Sequence, residues 1–384
     1  MNLIGEVTKA FSRASTVAKP GYGGGGWSPF SGLISGSSTN RVQQMESFDT
    51  VSWLFAGITR IAEAVASAEW QLYREMPNGD REEIFQHPFL DLWKRPNPFM
   101  TRSIFLESMQ QHVETTGDSF WLILVDEESL MPREMWPLRP DSVEPIKDRD
   151  KFISGYAYRM GQERIVMPPQ LVVHLRQPSP LDIYRGTSVI KSLFPDLESD
   201  RFAARYNRNF FTNSAEPGGI LEFEQALTPG EFDKLRQQWG DMHRGVANAH
   251  RVGVVERGKW HSTAVTHGEM QFKEGRLLVR DIILGALGVP KSVMGITDDV
   301  NRANAEAGEV VFSRWVVRPK LRRIADAVNT DILPFYGDDT LRLDYHDPTP
   351  QDRQQNLDEA DRGYRGGWLT KNEARVRVGE GEVE

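Results

Sequence analysis

The sequence contains no cysteine, which removes disulfide frameworks, thiolate metal sites and cysteine nucleophiles from consideration. It also lacks an excess of basic charge: 46 Lys and Arg stand against 54 Asp and Glu, a formal net charge of -8. Tight phosphate neutralisation needs a basic patch, and no long Lys/Arg block occurs, so any contact with DNA is expected to be loose or transient. No apolar run approaches the ~18 residues of a membrane-spanning helix. The first twenty residues have no continuous apolar core, which argues against a secretory signal. Leu3, Ile4, Val7, Ala10 and Phe11 fit one face of a short amphipathic helix, read as a mobile arm or partner-contact segment in preference to a membrane-surface helix.

Catalytic motifs are missing as well. No Gly-x-x-x-x-Gly-Lys-Ser/Thr sequence exists, so the chain is not a P-loop motor, and Gly21–Gly26 has neither a preceding strand nor the required lysine. There is no Gly-x-Ser-x-Gly elbow. His243, His250, His261 and His267 cluster in sequence without metal-ligand spacing and read as surface histidines. Asp298-Asp299 and Asp338-Asp339 have the hard oxygens that suit Mg²⁺ or Ca²⁺, but adjacent loop carboxylates are more often simply solvated. The reading is a non-enzyme with no metal and no cofactor.

What is present is a folded chain: 39% apolar residues with ten Trp and nineteen Phe. Residues 20–40 are dominated by Gly and Ser and read as a flexible linker. Val51, Leu54, Phe55, Ile58, Ile61, Ala62 and Val65 recur at helical spacing, with Ser47 or Asp49 as the expected cap. A strand at Trp70–Tyr73, helices over 88–94 and 101–116, and strands near 119–125, 143–146, 155–159 and 171–175 together predict an α+β region with an antiparallel sheet. Trp and Phe at helical spacing read as core.

The second half is a series of helix stops and starts. Thr187 or Ser188 is expected to cap a helix carrying Val189, Ile190, Leu193, Leu197 and Phe210, bent or divided at Pro195. Pro217-Gly218-Gly219 must stop it, and Ile220–Phe223 reads as a strand. A small insert follows, with a helix over 229–243 whose Thr228-Pro229-Gly230-Glu231 suits a capping box, and strands near 251–256 and 260–264. A second helix over 268–287 ends at Gly288-Val289-Pro290. After a polar loop at 296–303, helix resumes through Val310, Val311, Phe312, Trp315 and Val316, with a kink expected at Pro319. Leu341, Leu343 and Tyr345 alternate as a strand, and 350–378 reads as helix, turn and helix with Thr370 and Glu373 as a capping box.

The order of several parts resembles the portal proteins of tailed double-stranded DNA bacteriophages, of the long-tailed, siphovirus-type portal family. These are Arg185-Gly186-Thr187-Ser188 before a helix, Asn213 to Leu221 after it, His250 to Glu256, Leu287-Gly288-Val289-Pro290 to Met294-Gly295, Trp315 to Pro319 and Gly367 to Arg375. The resemblance covers about residues 45–375. It implies a phage portal fold: a flexible arm (1–44), an α/β wing (45–184 and, with the long kinked helix, 304–346), two stem helices (185–216 and 267–290), a small α/β clip (217–266), a tunnel-loop region (291–303) and a short helical crown (347–384). It implies a homo-oligomeric, dodecameric ring at one capsid vertex, through which viral DNA is packaged and ejected. The implied partners are double-stranded DNA, the terminase large subunit, the major capsid protein and scaffold, and head-tail connector proteins, with no membrane.

Within that frame Thr297, Asp298, Asp299, Asn301, Arg302 and Asn304 are expected to line the DNA tunnel, with Arg302 as the phosphate contact. Glu231, Asp233, Lys234, Arg236, Asp241 and Arg244 are expected to meet terminase or connector at the clip. Pro217, Gly218, Gly219, Gly288, Pro290 and Pro319 are the expected structural hinges. Two other readings stand beside this: a ring scaffold or head-tail adaptor without a packaging role, and a Mg²⁺-dependent nucleic-acid hydrolase using Asp298/Asp299 or Asp344/Asp347.

Overall fold

The computed structural model describes residues 41–212, 219–223, 258–262, 272–296, 302–350 and 353–378, together with positions 228, 230, 233, 234 and 237. They fall into two compact units. One draws on Ala56–Ser188 and Leu287–Glu384, the other on Ser38–Phe55 and Val189–Ala286.

The first unit is built from short antiparallel sheets with helices against them. Helix α1 (Arg41–Thr50) precedes α2 (Ser52–Ala66), so Ser47 and Asp49 sit inside a helix and do not cap one. The Ser47 hydroxyl instead donates to the Gln43 carbonyl one turn back. Leu54, Ile58, Ile61, Ala62 and Val65 form the buried stripe of α2, as their spacing predicts, while Phe55 departs from it and is 48% exposed. Strand β1 (Trp70–Glu75) turns at Pro77–Asp80 into β2 (Arg81–Ile84) and pairs on its other side with β11 (Leu341–Tyr345), giving the order β11-β1-β2. Trp70 packs edge-on to Trp93 of α3 (Pro88–Lys94) and to Tyr345, closing an aromatic core beneath this sheet.

The second sheet centres on β3 (Asp118–Val125), whose residues are buried on both faces except for Leu124. It lies between β4 (Pro132–Leu138) and β8 (Val172–Arg176). Helix α4 (Arg102–Thr116) runs into it, capped by the Thr101 side chain and ended by Gly117 at φ 83°; Phe105 meets Trp121 edge-on. A third sheet is the meander β5 (Val143–Asp148), β6 (Phe152–Met160) and β7 (Glu163–Met167). The expected single antiparallel sheet is therefore three small ones. Strand β4 carries Pro132 and Pro137, and β5 carries Pro145; both are edge strands, where a missing N–H leaves no ladder bond broken.

The second unit holds α5 (Val189–Thr212) and α6 (Phe272–Leu287), tied by an Arg276–Asp200 ion pair at 3.0 Å, and the antiparallel pair β9 (Gly219–Phe223) and β10 (Gly258–Ser262). Pro195 does not divide α5. It lies in the second turn, where it forfeits one helical bond, and Ile190, Leu193 and Leu197 are buried on either side of it.

Back in the first unit, α7 (Arg302–Phe312) passes through a π-helical turn (Ser313–Val317) into α8 (Arg318–Asp331). The expected interruption at Pro319 is this turn, placed just ahead of the proline. Phe312, Val317, Leu321, Ile324 and Val328 are all buried. Their spacings of five, four, three and four need one extra residue after Phe312, and a π turn absorbs it. The chain ends its described part in α9 (Arg353–Arg365) and α10 (Lys371–Arg377), the latter with a complete Thr370/Glu373 capping box.

Candidate DNA-channel segment and its anchor

The Arg185–Ser188 motif is a buried anchor. Asp118 is fully buried at the start of β3. Its Oδ1 accepts from the Gly186 amide at 2.6 Å and lies 3.0 Å from His174 Nε2, while Oδ2 lies 3.2 Å from Arg185 Nε. The same guanidinium donates to the carbonyls of Val143 and Pro140, both at 3.0 Å, and lies over the Phe120 ring. One arginine thus ties the second sheet to the third. Gly186 and Gly117 face each other so closely that a Cβ on Gly186 would sit 1.9 Å from the Gly117 carbonyl oxygen. Ser188 donates to the Glu114 carbonyl at 3.2 Å, and the Glu114 carboxylate is paired with Lys320 of α8.

Burial by itself would raise the Asp118 pKa, but the His174 hydrogen bond, the Arg185 charge and the Gly186 amide hold it below the usual carboxylate range. His174 is lowered chiefly by burial, against the pull of Asp118. The Tyr156 hydroxyl lies 3.3 Å from Nδ1 and stays protonated, since burial pushes it up to about 12. That arrangement assigns the His174 proton to Nε2, facing Asp118. An Asp–His–Tyr group of this kind has the members of an acid–base site, but the Asp118 and His174 side chains are enclosed, exposed by 0% and 7%.

The segment after α6 is fixed by glycines. Gly288 adopts φ 69°, and a Cβ there would meet Val316 at 3.0 Å. Residues Pro290–Gly295 then wind into tight turns closed by Gly295 at φ 71°, with the Ile296 amide donating to the Lys291 carbonyl at 3.0 Å. Gly308 of α7 lies against this turn: a Cβ would come within 2.3 Å of Ser292 Oγ. The turn that precedes residues 297–301 in sequence and the helix that follows them are therefore packed against one another. An open cleft of about 430 Å³ beside this contact is lined by Arg60, Ser67, Ser292, Glu306, Glu309 and Ser313 among others.

Of the expected tunnel residues, Thr297, Asp298, Asp299 and Asn301 lie outside the described residues. Arg302 opens α7 and Asn304 is exposed on it. At the expected clip, Asp233 and Lys234 are exposed helical positions, and Glu231, Arg236, Asp241 and Arg244 lie outside the described residues, as do Pro217 and Gly218. Gly219 opens β9 and Pro319 lies in the first turn of α8. Of the carboxylates offered for a hydrolase, the described pair is engaged by arginines, Asp344 with Arg81 at 3.0 Å and Asp347 with Arg318 at 3.3 Å, and Asp298 and Asp299 lie outside the described residues. Among the described residues no cluster of three metal-ligating acids or histidines occurs, and no helix is long and apolar enough to cross a membrane. Sequence reasoning missed the Asp118–His174–Arg185 group, whose members are far apart in the chain. It also placed Val311 and Trp315 in the core, whereas they are 48% and 69% exposed.

The phage portal protein family model matches residues 52–379. The chain belongs to the phage portal protein family. That family is structural, which supports reading this portal protein as a non-enzyme, and its members are virion proteins. The portal chain is 23% identical over 290 residues to a probable portal protein of Streptomyces phage phiC31, covering 73% of this chain and 63% of that one. Its α+β fold is similar to chains from necks of gene transfer agent particles. For the empty particle, computed with C6 symmetry, the TM-score is 0.70 at 24% identity over 92% of this chain and 96% of that chain. For the native particle, with C12 symmetry, it is 0.66 at 23% over 89% and 94%. An HK97 family phage portal protein from Corynebacterium diphtheriae matches at 0.56 and 16%, over 79% and 95%.

Proposed function

We propose that this portal chain is the subunit of a dodecameric ring at one vertex of a DNA-carrying particle, either a phage virion or a gene transfer agent. The ring is the channel for packaging and ejection of double-stranded DNA. In this reading the loop 297–301 and the start of α7 line the channel, and residues 217–266 form a clip that meets the terminase large subunit during packaging and head-tail connector proteins afterwards. The wing (45–184 and 304–346) faces the major capsid protein and scaffold, the stem comprises 185–216 and 267–290, and 347–384 is a reduced crown.

The observation that carries this reading is the packing of the Gly295-closed turn against Gly308 of α7, on either side of residues 297–301 in sequence. The polar sequence of 297–301, Thr-Asp-Asp-Val-Asn, followed by exposed Asn304, Glu306 and Glu309, offers little positive charge to hold a sliding duplex by counterion release. The energy for transport comes from another protein, since the chain has no nucleotide-binding motif. Electron microscopy of the purified protein tests the reading: twelvefold rings with a central hole wide enough to pass duplex DNA are expected. Monomers or solid particles would remove it.

A further inference from the structure

The α7–α8 segment carries a surface that nothing in its own chain covers among the described residues. Val311, Arg314, Trp315, Arg318, Pro319 and Arg322 are all exposed, while Phe312, Val317, Leu321 and Ile324 are buried. Steps of three and four residues keep the exposed set on one helix face. Arg318 is tied to Asp347, but Arg314 and Arg322 make no ion pair among the described residues. A tryptophan exposed by 69% and flanked by arginines has the composition of an interface centre, where Trp and Arg dominate binding energy.

A complementary surface lies on the same unit. The β1–β2 hairpin ends the β11-β1-β2 sheet with β2 as its open edge. It exposes Phe85 at 79% and Met76 at 36%, and its Glu82 and Glu83 make no ion pair among the described residues. An open edge strand with apolar neighbours is ordinarily covered in the working protein. A ring requires two different patches per subunit that fit each other across every junction.

We propose that the Arg314–Trp315–Arg322 ridge docks on the acidic β1–β2 hairpin of the next copy of this chain. The inference rests on the ring reading above and names the contact that closes the ring. Opposite charge sets the register, and Trp315 with Val311 covers Phe85 and Met76.

The test uses the full chain, with assembly followed by mass photometry over a concentration series. All the substituted residues are surface-accessible, and circular dichroism with a thermal midpoint verifies folding. Trp315→Asp, the pair Arg314→Glu/Arg322→Glu, and the pair Glu82→Arg/Glu83→Arg are each expected to raise the concentration for half-assembly at least about tenfold. A chain carrying both charge-reversed pairs is expected to regain assembly. Rings that form in the ridge variants as in the unmodified chain overturn the docking, and so does a loss that the reciprocal reversal does not restore. Normal rings that lose retention of a 30-base-pair duplex assign the ridge to DNA and overturn it too. An unmodified chain that stays monomeric overturns the ring reading itself, and this contact with it.

Discussion

At the scale of single residues, the Asp118 group shows how a portal subunit spends buried polar chemistry on position. Asp118 contacts His174, the Gly186 amide and Arg185, and Arg185 joins two sheets, so removing the carboxylate takes away a charge that the enclosed guanidinium faces. Asp118→Ala is expected to cost about 3–5 kcal/mol, the range for breaking a buried pair, read as a fall in thermal midpoint. Gly186→Ala should be similarly damaging, because its methyl would overlap the Gly117 carbonyl. Acid should act through the same residues. The folded pKa of Asp118 is depressed, so its stabilisation is present above the unfolded value near ~3.9 and is lost as pH falls through the folded value. His174 is also depressed, so the unfolded state takes up the proton first and stability declines once pH falls below ~6.5. His112, lowered to about 4 mainly by burial, acts in the same direction. Thermal midpoints should therefore fall from pH 7.5 to ~4 through the histidines and fall further below ~3.9 through Asp118. An Asp118→Asn chain with an unchanged pH profile would show that the pair does not contribute. Little of this was legible in the sequence. Arg185-Gly186-Thr187-Ser188 stood out as the start of a helix, but Asp118 and His174 carry no local pattern that links them to it.

At the scale of elements, local rules worked where one periodicity ran unbroken. The stripe of α2, the bounds of α3 and α4, the end of α6 at Gly288 and the capping box at Thr370 follow from spacing and cap chemistry. They failed where tertiary placement decides. The prolines of β4 argue against a strand unless it is an edge, and edge position is a property of the sheet. The spacing of Phe312 and Val317 fits neither a regular α-helix nor a break, and only packing on both sides selects the π turn. The capping box offers a local test. Thr370 accepts from the Glu373 amide, and Glu373 reaches back to the Thr370 amide, both on an exposed hairpin. Thr370→Ala is expected to weaken α10 by about 1 kcal/mol. Hydrogen exchange should then speed up roughly fivefold across Lys371–Arg377, with β3 unchanged. Equal exchange in α10 would mean that tertiary packing, not the cap, holds this helix.

At the scale of the whole molecule, a net charge of -8 and the acidic pair Asp298-Asp299 lead to the same expectation for DNA. A conduit must exclude tight binding, because each phosphate neutralised by Lys or Arg releases counterions and lengthens residence. The paired acids Asp298 and Asp299 stand between Ile296 and Arg302 in sequence, and their charge would oppose the contact expected of Arg302. Replacing both by Lys repeats the added positive charge around the proposed ring. Purified rings of Asp298→Lys/Asp299→Lys are expected to retain duplex DNA more strongly than the unmodified rings, with a steeper decline of retention as salt rises. Particles assembled from them should package more slowly. Replacing Asp338 and Asp339 by Lys instead provides the comparison: these acids lie at the turn into β11, where Asp338 pairs with Arg74, so their reversal changes net charge equally without reaching the loop. If both double variants shift retention alike, net charge alone governs the interaction and the 297–301 loop does not face the DNA. A shift confined to the Asp298/Asp299 variant, with ring number unchanged, assigns the channel wall to the segment that lies between Gly295 and Gly308 in sequence.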